Sequence, residues 1–123
     1  MISRLSGATI WSEDLNNLLP FYRDVLGLKV AMESPGFVLL GADQPGVPAL
    51  GLGTHSDVHG PNRDPARHMV SLATGDLTAD WKRLKDAGVE FIEDPVDYGD
   101  LSVATLKDPE GNFVQLLHYR GGN

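Results

Sequence analysis

Phe21-Tyr22-Arg23-Asp24-Val25-Leu26-Gly27-Leu28 reads as the last turns of a helix, a stop, and the start of a strand. Upstream, Leu15, Leu18, Leu19, Tyr22, Val25 and Leu26 recur at helical spacing, and Gly27 supplies a residue at which the chain can turn left-handed. Ser12-Glu13-Asp14 offers an N-cap and early negative charge. Pro20 removes one backbone donor inside this stretch, so a bend is expected there. Leu5 to Trp11 precedes the helix as a strand. Leu28 to Met32, Phe37 to Leu40 and Pro48 to Gly53 follow it as three more, with turns at Pro35-Gly36 and Ala42 to Val47.

The same order returns in the second half. His68 to Ala73 reads as a strand, and Thr74-Gly75-Asp76 caps a helix with Leu77, Trp81, Leu84 and Ala87 on one face and Gly88 as its stop. Val89 to Ile92 is a strand, and Glu93 to Asp100 reads as an acidic loop holding Asp94, Asp97 and Asp100. Leu101 to Leu106 and Phe113 to Tyr119 are strands joined by the turn Asp108-Pro109-Glu110-Gly111-Asn112. Two copies at a period of roughly sixty residues are too few and too long for a solenoid, so a duplicated half-domain is the simpler reading. The expected class is α+β: two tandem βαβββ modules, at about 1–54 and 67–123, joined by a Pro/Gly-rich linker at about 55–66 within a single domain 1–123.

With 17 acidic and 10 basic residues, the net charge is −7. Such a chain lacks the Lys/Arg surplus that neutralises nucleic-acid phosphates or anionic membranes. No cysteine is present, which excludes disulfides, thiolate metal sites and a catalytic thiol. No apolar run reaches the length of a membrane span, and Met1-Ile2-Ser3-Arg4 opens no signal peptide. A cytoplasmic protein is expected.

Two motifs carry a family resemblance. Phe21 to Leu28 resembles the FYrdvLGl signature of the vicinal oxygen chelate superfamily of glyoxalases, bleomycin-resistance proteins and extradiol dioxygenases. Asp108-Pro109-Glu110-Gly111-Asn112 followed by Phe113-Val114-Gln115-Leu116 resembles that superfamily's DPdGn ending. The resemblance implies a mixed sheet curled around a cavity with helices outside. It also implies inward His, Glu or Gln ligands for a divalent ion that polarises two vicinal substrate oxygens. Counted from the motifs, the ligand positions here are Gly7, Gly51, Met69 and Gln115; Gly7 precedes Asp14 by seven residues, and Met69 precedes Asp76 by seven. This register sends Leu50, Leu52, Val70, Leu72, Val114 and Leu116 towards the helices. It leaves Thr9, Trp11, Ala49, Gly51, Gly53, Met69, Ser71, Ala73, Phe113 and Gln115 facing the cavity. Two glycines, a thioether and one amide make no hard-ion site, so no metal is expected; a divalent metal is the alternative.

Each other candidate has a plain structural reading beside it. His68 is either a displaced ligand or an exposed residue at a strand start. His55, Asp57 and His59 alternate as a metal face would, but sit in the linker, where a precise site is hard to hold. His118 falls on the parity opposite to Gln115 and is expected at the outer surface near the C-terminus. Gln115 needs a partner, from a ligand or from a neighbouring strand. Trp11 and Phe113 either stack on a planar ligand or pack the core. Tyr98 is a candidate rim donor. The small residues Gly7, Ala49, Gly51, Ser71 and Ala73 are expected to leave space for a ligand, or for a second subunit. The preferred function is a metal-free, small-molecule-binding homodimer that sequesters a planar organic ligand at Trp11, Gly51, Met69, Ser71, Tyr98, Phe113 and Gln115. The alternatives are a lyase, epimerase or dioxygenase, with or without metal, and a structural or regulatory dimer with a vestigial pocket.

Overall fold

The computed structural model describes residues 1–120; the last three positions of the expected second module, 121–123, lie outside them. The chain divides into two compact units, Met1–Gly60 and Pro61–Asn123, and the division falls inside the expected linker. Each unit carries one four-stranded mixed sheet. Together they give the α+β class and the doubled βαβββ order.

In the first unit, strands β1 (Gly7–Ser12), β2 (Val30–Ser34), β3 (Phe37–Leu40) and β4 (Ala49–Thr54) form a sheet in the order β1-β4-β3-β2. β1 runs parallel to β4, and the other neighbours are antiparallel. Parity sets the core: Val38, Leu40, Leu50 and Leu52 lie on one face, and all four are buried, as are Leu18, Leu19 and Tyr22 of the helical segment. Tyr22 of the sequence motif is thus a core residue, edge-on to Phe21 with ring centroids 5.3 Å apart.

The first helix is not continuous. A 3-10 turn at Leu15–Asn17, capped by the Asp14 carboxylate accepting from the Asn16 N–H at 2.9 Å, gives way to a π-turn at Phe21–Val25. The break falls at Leu18, two residues ahead of Pro20, whose missing N–H removes one rung from the ladder. The following strand begins at Val30 rather than Leu28.

In the second unit, β5 (Val70–Ala73), β6 (Glu90–Asp97), β7 (Leu101–Lys107) and β8 (Phe113–Tyr119) pair in the order β5-β8-β7-β6, and helix α1 (Leu77–Asp86) packs on β6, β7 and β8. Asp76 caps α1 by accepting from the Ala79 N–H at 3.0 Å. Gly88, at φ +92°, closes it: its N–H reaches the Lys85 carbonyl and the Val89 N–H reaches that of Leu84, each at 3.0 Å. Leu84, Ala104, Leu106, Val114 and Leu116 are the core.

The stretch expected as an acidic loop is mostly strand, since β6 continues through Asp94 and Asp97. An edge position explains this. Pro95 needs no ladder partner on the outer side, and register shifts between Phe91 and Val96 absorb the local irregularity. Asp94 accepts from the Trp81 indole N–H at 3.1 Å and lies 3.8 Å from Lys85 Nζ, tying α1 to the edge.

The second sequence motif is a folding device. The buried Asp108 carboxylate accepts from the backbone N–H of Glu110 (2.8 Å) and Asn112 (2.9 Å) and from the Asn112 side chain (2.9 Å). Asn62 joins this turn, bonding Glu110 through its backbone and Asn112 Oδ1 through its side chain, both at 2.8 Å.

Candidate functional site

The face of the first sheet opposite its core holds the cavity-facing residues expected from parity. Gly7 pairs with Ala49, Thr9 with Gly51 and Trp11 with Gly53, while β3 adds Leu39 beside Gly51 and Phe37 beside Gly53. One end of this face is filled by rings. Trp11 lies 5.9 Å from Phe37 and 5.5 Å, edge-on, from His55, measured between centroids. A Cβ at Gly51 would fall 2.7 Å from Thr9 Oγ1 and 2.9 Å from Phe37 Cζ; one at Gly53 would fall 2.8 Å from Trp11 Cε3. Gly51, expected to leave space, and its neighbour Gly53 are therefore roofed by Trp11, Phe37 and Thr9, because a residue without a Cβ lets neighbouring side chains close over its backbone.

The other end is open. A cavity of about 390 Å³ is lined by Gly7, Thr9, Leu39, Val47 and Ala49, with Arg4 and Ser6 also on its wall. That volume is in the range of small-molecule sites. Gly7 contributes only backbone: a Cβ there would come 2.5 Å from the Ala49 carbonyl oxygen. Arg4 crosses to the 42–47 turn and donates from Nη1 to the Gly46 carbonyl at 2.7 Å. Gly46 presents that carbonyl from a left-handed conformation, φ +87°.

In the second unit, Ser71 and Gln115 are direct cross-strand partners, and the Ser71 hydroxyl donates to Gln115 Oε1 at 3.3 Å. A neighbouring strand thus supplies a partner for the amide. Thr105, buried, flanks Gln115 on the other side. Phe113 is half-buried, and Ala73 is exposed. Met69 precedes β5 and is 37% exposed. Tyr98 stands at the β6–β7 connection, 65% exposed, outside any row with Ser71 and Gln115. Trp11 and Gly51 thus share one face of the first sheet, and Ser71, Phe113 and Gln115 share one face of the second.

The histidines do not converge. His55 Nδ1 accepts from the Asp57 N–H at 3.0 Å, whereas His59 sits 3.8 Å from the Glu13 carboxylate. His68 is exposed ahead of β5, and His118 pairs with the buried Ser102 on the core parity of β8. Among the described residues no three His, Asp or Glu side chains cluster as a metal would need. The acidic residues have local work instead. Asp97 pairs with Arg120 and accepts from the Gly99 N–H at 2.8 Å. That backbone bond and the neighbouring guanidinium hold its carboxyl below the usual range. Arg120 also donates to the Gly99 carbonyl from Nε at 3.0 Å, and its backbone N–H bonds Asp100.

Arg4, Ser6, Ala8, Leu39, Gly46 and Val47 are the lining residues that sequence reasoning missed. Parity would have found Leu39, which stands in register with Gly51. No local signal marks Arg4, since its docking partner is 42 residues away.

Comparison with known proteins agrees with this architecture. The family model described as the Glyoxalase/Bleomycin resistance protein/Dioxygenase superfamily matches residues 4–116. A curated relative, biphenyl-2,3-diol 1,2-dioxygenase 3 of Rhodococcus globerulus, is 31% identical over 92% of this chain. The match spans only 62% of that enzyme's own length. Among solved structures, the antibiotic-binding protein TnmS3 of Streptomyces sp. CB03234 superposes with a TM-score of 0.75 at 22% identity, covering 96% of this chain and 97% of that one. The trypanothione-dependent glyoxalase I of Leishmania major superposes with a TM-score of 0.74 at 21% identity, covering 95% and 87%. No helix among the described residues is long and apolar enough to cross a membrane.

Proposed function

This chain belongs to the glyoxalase/bleomycin resistance protein/dioxygenase superfamily, and from that premise we propose that it binds and sequesters a small planar organic molecule without a metal ion. The observation that carries the reading is the state of the ligand positions in the first sheet. Gly7 and Gly51 offer no donor atom, and each would force a Cβ against a neighbour, at 2.5 Å and 2.7 Å. In the second sheet Gln115 accepts from Ser71, and Met69 offers a soft thioether that a hard or borderline divalent ion disfavours. The donor set does not fit the family's ion. The cavity of about 390 Å³ beside Gly7 supports binding, and the likeness in fold to an antibiotic-binding protein agrees with it.

Two measurements on one preparation test the reading. Protein purified without chelator is expected to carry less than about a tenth of an equivalent of divalent metal, because a three-ligand site holds its ion tightly. Isothermal titration against neutral planar aromatics is expected to give saturable heat. About one equivalent of metal, or absent heat from folded protein across the panel, overturns it.

A second reading, a metal-dependent dioxygenase or lyase, draws on the 31% identity to a relative named as a biphenyl-2,3-diol dioxygenase. It predicts the opposite metal content. The homodimer expected from the resemblance belongs to the preferred reading; Val30 and Met32, 39% and 50% exposed on edge strand β2, are its physical support, and light scattering checks it.

A further inference from the structure

The open end of the first sheet holds a charge that no carboxylate among the described residues pairs with. Among the described residues, the wall of the cavity is made of small and apolar groups, two hydroxyls (Ser6 and Thr9) and one charged side chain, Arg4. Seventeen acidic residues outnumber ten basic ones in this chain, yet no carboxylate lies within ion-pair distance of Arg4 among the described residues. What Arg4 has instead is one neutral acceptor, the Gly46 carbonyl at 2.7 Å from Nη1. That bond fixes the guanidinium on the cavity wall and uses one of its five N–H donors. A guanidinium so placed presents a planar fork that matches two oxygens of an acidic group. Leu39, Val47 and Ala49 supply apolar surface for the body of a ligand, and Thr9 Oγ1 a further hydrogen-bonding group.

We propose that this cavity takes an organic anion, an aromatic carboxylate or phenolate in class, whose acidic oxygens bind Arg4 and whose ring lies against Leu39, Val47 and Ala49. This deepens the binding reading above and rests on it. Nearby carboxylates would repel such a ligand, and among the described residues the lining carries none. The net charge of −7 makes the local positive site the determinant of orientation rather than of long-range attraction.

The test uses matched pairs: salicylate with salicylamide, and 1-naphthoate with 1-naphthamide. Each is titrated calorimetrically into the full chain and into Arg4→Gln and Arg4→Lys. The parent is expected to prefer each acid over its amide by roughly tenfold or more, the worth of a charge-assisted hydrogen bond, and to lose that preference as salt rises. Arg4→Gln is expected to bind acid and amide alike, the acid losing the larger share of its affinity. Arg4→Lys should keep part of the preference, having the charge without the fork. Circular dichroism confirms that the variants, altered at an exposed residue, are folded. If the parent binds the amides as tightly as the acids, or if Arg4→Gln keeps the acid preference, the anion inference is overturned while the binding reading stands. If folded parent protein binds no member of either pair, the inference is overturned; neutral aromatics that still bind keep the broader reading alive, and one equivalent of metal removes both.

Discussion

Trp11 occupies the space that Gly53 leaves: an ideal Cβ on that glycine would stand 2.8 Å from Trp11 Cε3. The indole and the bare backbone are one packing unit, although 42 residues separate them in the chain. Gly53→Ala is therefore an overpacking substitution, expected to cost about 1–3 kcal/mol in a urea titration. Trp11→Ala should remove the conflict, so the double variant is expected to lose less than the sum of the single losses. Strict additivity would mean that the ring does not rest on the glycine.

Asp108 gives a larger effect. Its carboxylate is 4% exposed and accepts three hydrogen bonds within the β7–β8 turn. Asp108→Ala removes the acceptor that the Glu110 and Asn112 backbone N–H groups share and is expected to destabilise by roughly 2–4 kcal/mol, read from denaturant midpoints. A loss below about 0.5 kcal/mol, the range of ordinary surface changes, would show that the motif has no such structural role.

Asp94 should matter much less, although it also bonds a side chain. Its partners Trp81 and Lys85 lie on an exposed helix flank, with Lys85 Nζ 5.2 Å from the Trp81 ring centre. Asp94→Ala is expected to cost less than about 1 kcal/mol, because solvent screens the pair. The clearer readout is the Trp81 indole N–H resonance, which should shift once its acceptor is removed; an unmoved resonance would contradict the bond.

The pH dependence has a defined sign at Asp97. Its folded pKa lies below the ordinary value of 3.8, first through the Gly99 backbone hydrogen bond and then through Arg120. The folded state holds this proton less tightly than the unfolded one, so the contribution is fully present above 3.8 and is lost as pH falls through the depressed value. Asp97→Asn should flatten that acidic limb of the unfolding midpoint and leave the neutral region with a constant offset. An unchanged acidic limb would refute the assignment.

The parts of the fold legible in the sequence are those where local chemistry and pairing agree. Phe37–Leu40 and Phe113–Tyr119 have the bounds expected of them, with Val38, Leu40, Val114 and Leu116 buried at alternate positions. α1 has a cap at Asp76 and a stop at Gly88. β6 was hidden because Glu93, Asp94 and Pro95 look like a loop by composition, and only pairing with β7 makes them a strand. At the candidate site, parity put Thr9, Trp11, Ala49 and Gly51 on one face of the first sheet, opposite the buried Leu50 and Leu52. Parity cannot say which way a ring leans, so the closure of Gly51 and Gly53 by Trp11 and Phe37 was out of reach. Arg4 was out of reach for a different reason, since its position depends on a distant carbonyl.

Pro95 and the register breaks in β6 have one more effect. An outermost strand with a regular row of free amides invites other chains to add to it, the first step towards fibrils. Here the row is interrupted by a ring that cannot donate and by a backbone that slips its pairing twice. Concentrated solutions should therefore stay free of polymers seeded along that border, and replacing Pro95 with a β-branched residue such as threonine would weaken the protection.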